Sequence, residues 1–248
     1  MTANYLFLNS DKTEVMFLGP RSHREFLSQQ FVTLDNISVS TSTSVKNLGV
    51  IFDQELSFKS HVKQVCKTAY FHLRNIAKIR HLLSTSDAEK LIHAFVSSRL
   101  DYCNSLLAGC PQTTVKPLQL VQNVAARLLT RTNRREHITP VLKSLHWLPV
   151  EFRIKFKTLL LTYKALNGLA PTYLKDTIVP YCPNRPLRSQ NSKRLVPHKA
   201  SKKTIGERAF SYQGPTLWNQ LPVDIRHSDS VPTFKARLKT FLFDEAFN

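Results

Sequence analysis

Acidic residues are scarce in this sequence, and the shortage sets the charge of the whole chain. Its 248 residues include 17 Asp and Glu against 35 Lys and Arg, which gives a formal net charge of +18 at pH 7. Such an excess of cations predicts a polyanionic partner, with nucleic acid as the first expectation and an anionic membrane surface as the second.

Long apolar runs are missing as well. No stretch approaches the ~18 apolar residues that are needed to span a bilayer. Met1 is followed by polar residues instead of the basic and apolar segments of a signal peptide. We therefore expect no membrane association and an intracellular location, in the nucleus and/or the cytoplasm.

Glycine and cysteine are too few, or too scattered, for the common ligand motifs. Six glycines leave no phosphate-binding loop of the GxxxxGK[ST] or GxGxxG kind. The sequence also lacks GxSxG and HExxH, and its nine histidines stand singly. No CxxC pair is present, so we expect no metal site and four free, reduced thiols: Cys66, Cys103, Cys110 and Cys182.

The hydrophobic pattern changes its period near residue 57. Residues 1–56 predict short strands at 13–18 and 45–52, and a hairpin in which Val32 and Leu34 pair with Ile37 and Val39 around Asp35-Asn36. The remainder has mainly helical periodicity. The predicted fold class is α+β, mostly α, with four parts: a small antiparallel N-terminal sheet (1–56), a helical domain (57–179), a basic, Pro-broken linker (180–203) and a C-terminal segment with a final helix (204–248).

Helix starts and stops follow from capping residues. Ser57 is the expected N-cap of the first helix, Ser86 begins a capping box that ends at Glu89, and Thr139-Pro140 starts a short helix. A third helix at about 114–129 is expected to bury Leu118, Val121, Val124, Ala125 and Leu128. The remaining predicted helices run over 151–166, ended by Asn167-Gly168, and onward from the cap Ser230.

The stretch after residue 180 has two parts with different expectations. Between 180 and 203 it is cationic and without acid, which is equally consistent with a flexible tether and with a phosphate-contacting arm. The following ERAFSYQGPTLWNQLP is too apolar for a free tail, so we expect it to dock. Tyr212 or Trp218 in this segment could stack on bases, but an aromatic residue in an apolar run is more often core.

A basic stripe follows the predicted first helix. Its cations fall within an arc of about 100° beside an apolar stripe that runs from Phe58 to Ala77. No carboxylate occurs between Glu55 and Asp87, so the cations have no acidic partner in their own helix. The stripe is either a solvated face or a surface for a phosphate backbone. Its members are Lys59, Lys63, Lys67, Arg74 and Lys78, and a second basic cluster ends the third helix with Arg127, Arg131, Arg134 and Arg135.

Six segments in series carry a resemblance to a known family. They are LxLNxDKTEVMFLG, LGVIFDQELSFKSHV, LDYCNSLLAGCP, LQLVQNVAARLLT, LHWLPVEFRIKFKTLLLTYKALNGLAPTYL and ERAFSYQGPTLWNQLP. Together they closely resemble the C-terminal part of the second open reading frame of animal non-LTR (LINE-type) retrotransposons, which encodes a reverse transcriptase. The resemblance covers nearly the whole chain and is specific because the segments match at their expected spacing.

The resemblance implies a role for each region. Residues 1–56 would end the palm of the polymerase, 48–58 would correspond to the primer grip, and the helices that follow would form the thumb and the C-terminal region. Lys12 matches the palm lysine near the incoming nucleotide's phosphates, where a protonated amine suits a general acid. Without the rest of the palm, a surface lysine in a turn is the simpler interpretation. The basic stripe would then face the backbone of RNA or of an RNA/DNA duplex, without sequence preference.

The carboxylates that such a polymerase requires are not recognisable. Enzymes of this class hold two Mg²⁺ ions with an early palm Asp and a YxDD pair, but the chain has no adjacent Asp-Asp, and Asp35, Asp53 and Glu55 have no evident partners. We therefore expect a truncated reverse transcriptase that keeps the thumb, is inactive alone and needs no cofactor, whereas the full-length polymerase would need Mg²⁺. The alternatives are a stand-alone basic nucleic-acid-binding module and an interaction protein with exposed apolar faces.

Overall fold

The computed structural model describes residues 9, 12–19, 24, 32–34, 37–183 and 192–248. The fold is α+β and mostly α, as the sequence predicted. The chain divides into two compact units, Met1–Gln64 and Val65–Asn248, and the boundary falls inside the first long helix. None of the described helices is long and apolar enough to cross a membrane.

The hairpin predicted in the first unit is confirmed. Strand β1 (Val32–Leu34) pairs antiparallel with β2 (Ile37–Val39), and Leu34 lies opposite Ile37. The predicted turn residues Asp35-Asn36 lie outside the described residues.

The single strand predicted at 45–52 is wrong, because this stretch is a second hairpin. Strand β3 (Ser44–Asn47) pairs antiparallel with β4 (Val50–Asp53). The turn residues Leu48 and Gly49 have φ values of 46° and 83°. Two consecutive positive φ values are typical of the tight turns whose twist matches the flanking strands, so the glycine that weakened the predicted strand is where the chain reverses.

The strand predicted at 13–18 is also wrong. This stretch forms one isolated parallel bridge, between Val15 and Thr41, supported by a hydrogen bond of 2.7 Å that the Ser42 amide donates to the Val15 carbonyl. Sequence alternation alone does not supply a partner strand, and a strand without a ladder is not stable.

Helix α1 (Lys59–Ile79) begins two residues after its expected cap. The Asp53 carboxylate accepts hydrogen bonds from the amides of Ser57 and Phe58, both at 2.8 Å, and thereby holds the loop that enters the helix. Phe58 has a φ of 56°, so the chain turns sharply there, and the Ser57 hydroxyl accepts from the Lys59 amide at 3.4 Å. The aspartate that closes β4 therefore does much of the capping predicted for the serine alone.

The second unit continues through helices and two short strands. A π-helical segment (His93–Ser97) joins α2 to α3 without a break, and Asn104–Leu107 is a 3-10 turn. The remaining elements are α2 (Thr85–Ile92), α3 (Ser98–Asp101), α4 (Gln112–Thr130), α5 (Ile138–Ser144), α6 (Val150–Leu166), α7 (Thr172–Lys175), β5 (Val179–Pro180), β6 (Leu195–Val196), α8 (Lys203–Gly206), α9 (Phe210–Gln220), α10 (Val223–Arg226) and α11 (Val231–Phe247).

Several predicted helix starts are displaced. Helix α2 is capped by Ser84, whose hydroxyl accepts from the Asp87 amide at 3.1 Å, and not by Ser86. Helix α5 begins one residue before Thr139, so the Thr-Pro pair lies in its first turn. The predicted end of α6 at Leu166 and the Ser230 cap of α11 are confirmed, and α6 begins at Val150, one residue before its predicted start. Several serines and threonines near these starts are capable caps, and packing selects among them.

Helix α6 is the centre of the main core, where α9 and α11 pack on it. Tyr163 of α6 stacks on Phe234 of α11, with ring centroids 4.2 Å apart, and Trp218 of α9 stacks on Phe234 at 5.8 Å. Trp218 is 1% exposed. The expected docking of the C-terminal segment is confirmed, and Trp218 is core and not a base-stacking platform.

Burial along α4 and α1 differs from the prediction at several positions. On α4, Val124 is 42% exposed and Leu128 is only half-buried, whereas Leu129 is buried. Val124 lies outside the arc of α4 that holds the buried residues, so its hydrophobicity misled the helical-wheel assignment. Ala77 on α1 is exposed for the same reason.

Part of the predicted linker is held against the core. Strand β5 pairs antiparallel with β6, so that Pro180 lies opposite Leu195. The Leu195 amide donates to the Asn219 side chain at 2.9 Å, and the Trp218 indole donates to the Lys193 carbonyl at 2.7 Å. Residues 184–191, with Arg185 and Arg188 of the predicted basic arm, lie outside the described residues.

Candidate nucleic-acid interface

The cations of α1 lie on its exposed side. We call Lys59, Lys63, Lys67, Arg74 and Lys78 the basic face of α1. All five side chains are exposed, and within the described part of the chain none of them forms an ion pair. At 1.5 Å per residue the face runs along roughly 28 Å of helix.

The apolar stripe beside the basic face of α1 is buried, which turns the basic face outward. Val62, Ala69 and Leu73 are 3% exposed or less. Burial also raises the pKa of the Cys66 thiol to about 11 and lowers the pKa of His61. An apolar, desolvated side and a fully cationic side therefore share one helix.

The second predicted cluster is divided by the structure. Arg127 donates to the Glu136 carbonyl at 2.8 Å, and Arg131, with a φ of 56°, donates to the Arg80 carbonyl at 3.4 Å. These two guanidinium groups hold the turn that ends α4. Arg131, Arg134 and Arg135 are all exposed, so Arg131 also presents charge to solvent although its guanidinium binds a carbonyl.

Arg80 is a structural residue that the sequence reasoning missed. Its guanidinium donates to the Leu128 carbonyl at 3.1 Å, to the Leu129 carbonyl at 2.8 Å and to the Leu83 carbonyl at 2.9 Å. The side chain is 7% exposed. A buried cation at the carbonyl end of α4 satisfies acceptors that the helix leaves open and stabilises the negative end of its dipole.

Lys12 is exposed and lies in a short turn, where its amide donates to the Asn9 carbonyl at 3.2 Å. This placement agrees with the simpler of its two interpretations, a surface lysine.

Of the three carboxylates considered as metal ligands, Asp35 lies outside the described residues, and Asp53 and Glu55 have other partners. Asp53 binds the backbone amides before α1, and Glu55 pairs with Arg24 at 3.1 Å. Asp101 binds the Arg153 guanidinium through both oxygens, with an Nε to Oδ1 distance of 2.8 Å. Among the described residues no group of three or more His, Cys, Asp or Glu could hold a metal ion.

A cleft of about 400 Å³ lies beside this ion pair. Asp101, Arg153, His93, Lys157 and Lys239 line it together with Trp147, which packs on the His93 ring at 5.4 Å. Both acids and bases line the cleft, so it lacks the single sign of charge that distinguishes the basic face of α1.

One aromatic residue belongs beside the basic face and was not predicted. Phe71 is 53% exposed. It lies four residues after Lys67 and three before Arg74, so it projects from the same side of α1 as the basic face. The spacing was visible in the sequence. The signal was overlooked because exposed phenylalanine is hard to tell from core phenylalanine without a structure.

The chain matches none of the protein-family models, curated proteins or solved structures with which it was compared.

Proposed function

We propose that this chain is the thumb-containing part of a reverse transcriptase of the non-LTR retrotransposon type, and that its own function is to bind the backbone of RNA or of an RNA/DNA duplex without sequence preference. The single observation that carries the binding function is the basic face of α1, five exposed cations without a carboxylate partner among the described residues. The polymerase assignment rests on the six sequence segments in series.

Charge and exposure together favour a phosphate partner. Each phosphate that a lysine neutralises releases condensed counterions, so binding gains free energy at low salt and loses it as salt rises. Ordinary solvated helix faces mix both signs of charge, and mixed pairs stabilise the helix itself. The basic face lacks that benefit, so its cations repel one another until a polyanion neutralises them.

We propose that the chain by itself does not polymerise. It has no adjacent pair of aspartates, and the carboxylates of Asp53 and Asp101 are already bound, to backbone amides and to the Arg153 guanidinium group respectively. Purified chain with primer, template, nucleotides and Mg²⁺ or Mn²⁺ is expected to give no extension. Templated extension would overturn this part of the proposal.

The binding function is tested by reversing part of the basic face. In Lys59→Glu/Lys63→Glu/Lys67→Glu, all three changes are at exposed positions, and position 59 lies in the first turn of α1, where the helix dipole favours negative charge, so the helix is expected to fold. Affinity for a labelled RNA/DNA duplex should fall at least tenfold, and the slope of log affinity against log salt should flatten by roughly 0.7 to 0.9 for each lost contact. Fluorescence anisotropy from 50 to 300 mM salt measures both.

A control variant makes the same change in net charge elsewhere. Lys116, Lys175 and Lys235 are exposed lysines of α4, α7 and α11. Lys116→Glu/Lys175→Glu/Lys235→Glu is expected to keep most of the affinity. Equal losses in the two variants would show that total charge, and not the basic face, determines binding, and would sink the proposed site.

A further inference from the structure

Three aromatic rings form a contiguous cluster in the second unit, and two of them are exposed. The rings of Phe71 and His72 meet edge to face, with centroids 5.4 Å apart. His72 in turn stacks on Phe95 with centroids at 5.1 Å and ring planes 19° apart. Phe71 is 53% exposed and Phe95 is 41% exposed. We call these three residues the aromatic cluster.

The position of Phe95 depends on an irregular backbone. Phe95 lies in the middle of the π-helical segment His93–Ser97, whose wider turn rotates the residues that follow relative to α2. Val96, the next residue, is 1% exposed and anchors the segment in the core. The backbone is therefore held while the Phe95 ring remains at the surface.

Cations surround the aromatic cluster. Phe71 shares its side of α1 with Lys67, Arg74 and Lys78, all exposed. Arg99 lies close enough to His72 to lower the pKa of its imidazole, after the larger effect of partial burial. The lowered pKa favours the neutral imidazole, so the cluster offers ring faces with cations beside them.

The combination of exposed rings and neighbouring cations favours one kind of ligand. Large exposed rings cost free energy in water, whereas the stacked rings of Tyr163, Trp218 and Phe234 in the same unit are buried in its core. Rings bordered by cations suit a ligand that carries both flat apolar faces and phosphates. Single-stranded nucleic acid has both, whereas a duplex keeps the faces of its bases inside the stack.

We propose that Phe71, His72 and Phe95 form a stacking platform for the bases of single-stranded nucleic acid, while the neighbouring cations of α1 contact its phosphates. The inference rests on the proposed function and extends it from a duplex backbone to an unpaired strand. Charge complementarity selects this occupant over an apolar peptide or a second copy of the chain, because Lys67, Arg74, Lys78 and Arg99 would repel both a basic partner and another copy with the same face.

The test separates base stacking from phosphate binding. The probes are a labelled 12-nucleotide oligo(dT), an abasic oligonucleotide of the same length with the same phosphates, and an RNA/DNA duplex. The wild-type chain is expected to bind oligo(dT) at least tenfold more tightly than the abasic strand, and Phe71→Ala/Phe95→Ala should remove this preference while leaving duplex and abasic binding within twofold. Phe71→Trp should retain or increase it.

A matched control uses exposed aromatics away from α1. Tyr173 and Tyr181 are 69% and 44% exposed. Tyr173→Ala/Tyr181→Ala should leave the preference for oligo(dT) unchanged, and circular dichroism confirms that both double variants are folded.

Several outcomes would overturn the inference. Equal affinity of the wild-type chain for oligo(dT) and the abasic strand would exclude stacking, and so would an unchanged preference in Phe71→Ala/Phe95→Ala. Light scattering that shows a wild-type dimer, lost in the same variant, would assign the aromatic cluster to self-association. If the wild-type chain also fails to bind the duplex, the proposed function is wrong. If it binds the duplex but shows no preference for bases, only the stacking platform is wrong.

Discussion

Helices α1 and α6 have similar compositions, but their cations have different partners. Each carries several cations beside an apolar stripe. On α6, Arg153 binds Asp101, and Lys155 lies 3.2 Å from Glu245, 3.9 Å from Glu151 and 4.5 Å from the centre of the Phe152 ring. The cations of α1 have no such partners among the described residues.

This difference shows that the number of cations on a helix does not identify a binding surface. What identifies it is whether the cations lack partners. The charged groups of α6 tie it to α3 and α11 and contribute to the fold. Paired cations offer little to a new anion, because binding it would break the existing contact. Exposed and unpaired cations, as on α1, remain available to a polyanion.

The largest expected effect is a difference in stability loss between a substitution in the core around α6 and one on the exposed side of α1. Phe234 is 0% exposed and stacks on Tyr163 and Trp218, so Phe234→Ala should lower the free energy of unfolding by about 3–5 kcal/mol. Phe71→Ala should change it by less than about 0.5 kcal/mol. Urea denaturation measures both, and a comparable loss for Phe71 would place that ring in a core.

Thiol labelling sharpens the distinction between the two sides of α1. The pKa of about 11 at Cys66 leaves about a hundredfold less thiolate than the ordinary value of 9.0 at any pH below both. Iodoacetamide at pH 8 should therefore modify the exposed Cys182 long before Cys66, as followed by peptide mass spectrometry. The two rates should converge in 8 M urea. Rapid labelling of Cys66 in the native chain would contradict the buried side of α1.

The paired and unpaired cations should also differ in their effect on stability. Arg153→Met leaves Asp101 without its partner at a site where the side chains are 20% and 38% exposed, and should cost about 1–2 kcal/mol. Lys67→Met removes no ion pair and should stay within about 0.5 kcal/mol. Thermal unfolding of the two variants measures the two losses of stability. Equal losses would contradict the distinction between the paired cations of α6 and the unpaired cations of α1.

The smallest expected effect is on pH dependence. Burial lowers the pKa of His61 in the folded chain below its ordinary value of 6.5, so between these two values the unfolded chain binds more protons. Stability is therefore full above about pH 6.5 and falls as the pH drops through 6.5 towards the lower folded-state pKa. His61→Gln should flatten this part of the curve of urea midpoint against pH, whereas His81→Gln, at an exposed position, should not.

The sequence predicted the helices best where periodicity was long and capping unambiguous. Helix α6 and the Ser230 cap of α11 were found because their apolar spacing and end signals agree. Short strands failed at 13–18 and 45–52, because a strand depends on a partner that local sequence does not specify and because Leu48-Gly49 permits reversal of the chain. The cap at Ser84 in place of Ser86, and the capping of α1 by Asp53 together with Ser57, show the same limit at helix starts.

The candidate site was predicted in part. The five cations of α1 could be placed on one face from spacing alone, because a helix converts sequence interval into angle. Arg127 and Arg131 could not be recognised as structural, since the carbonyls they bind belong to Glu136 and Arg80. The joining of Phe71, His72 and Phe95 required knowledge of how α1 meets the π-helical segment.

By itself, the sequence determined the net charge, the predominance of helix and the alignment of one sign of charge along α1, because these follow from composition and local spacing. Only the tertiary structure decided which cations are neutralised and which aromatic rings stay at the surface. Pairing and burial depend on residues far apart in the chain, such as Arg153 with Asp101 and His72 with Phe95, and no local pattern encodes those distances.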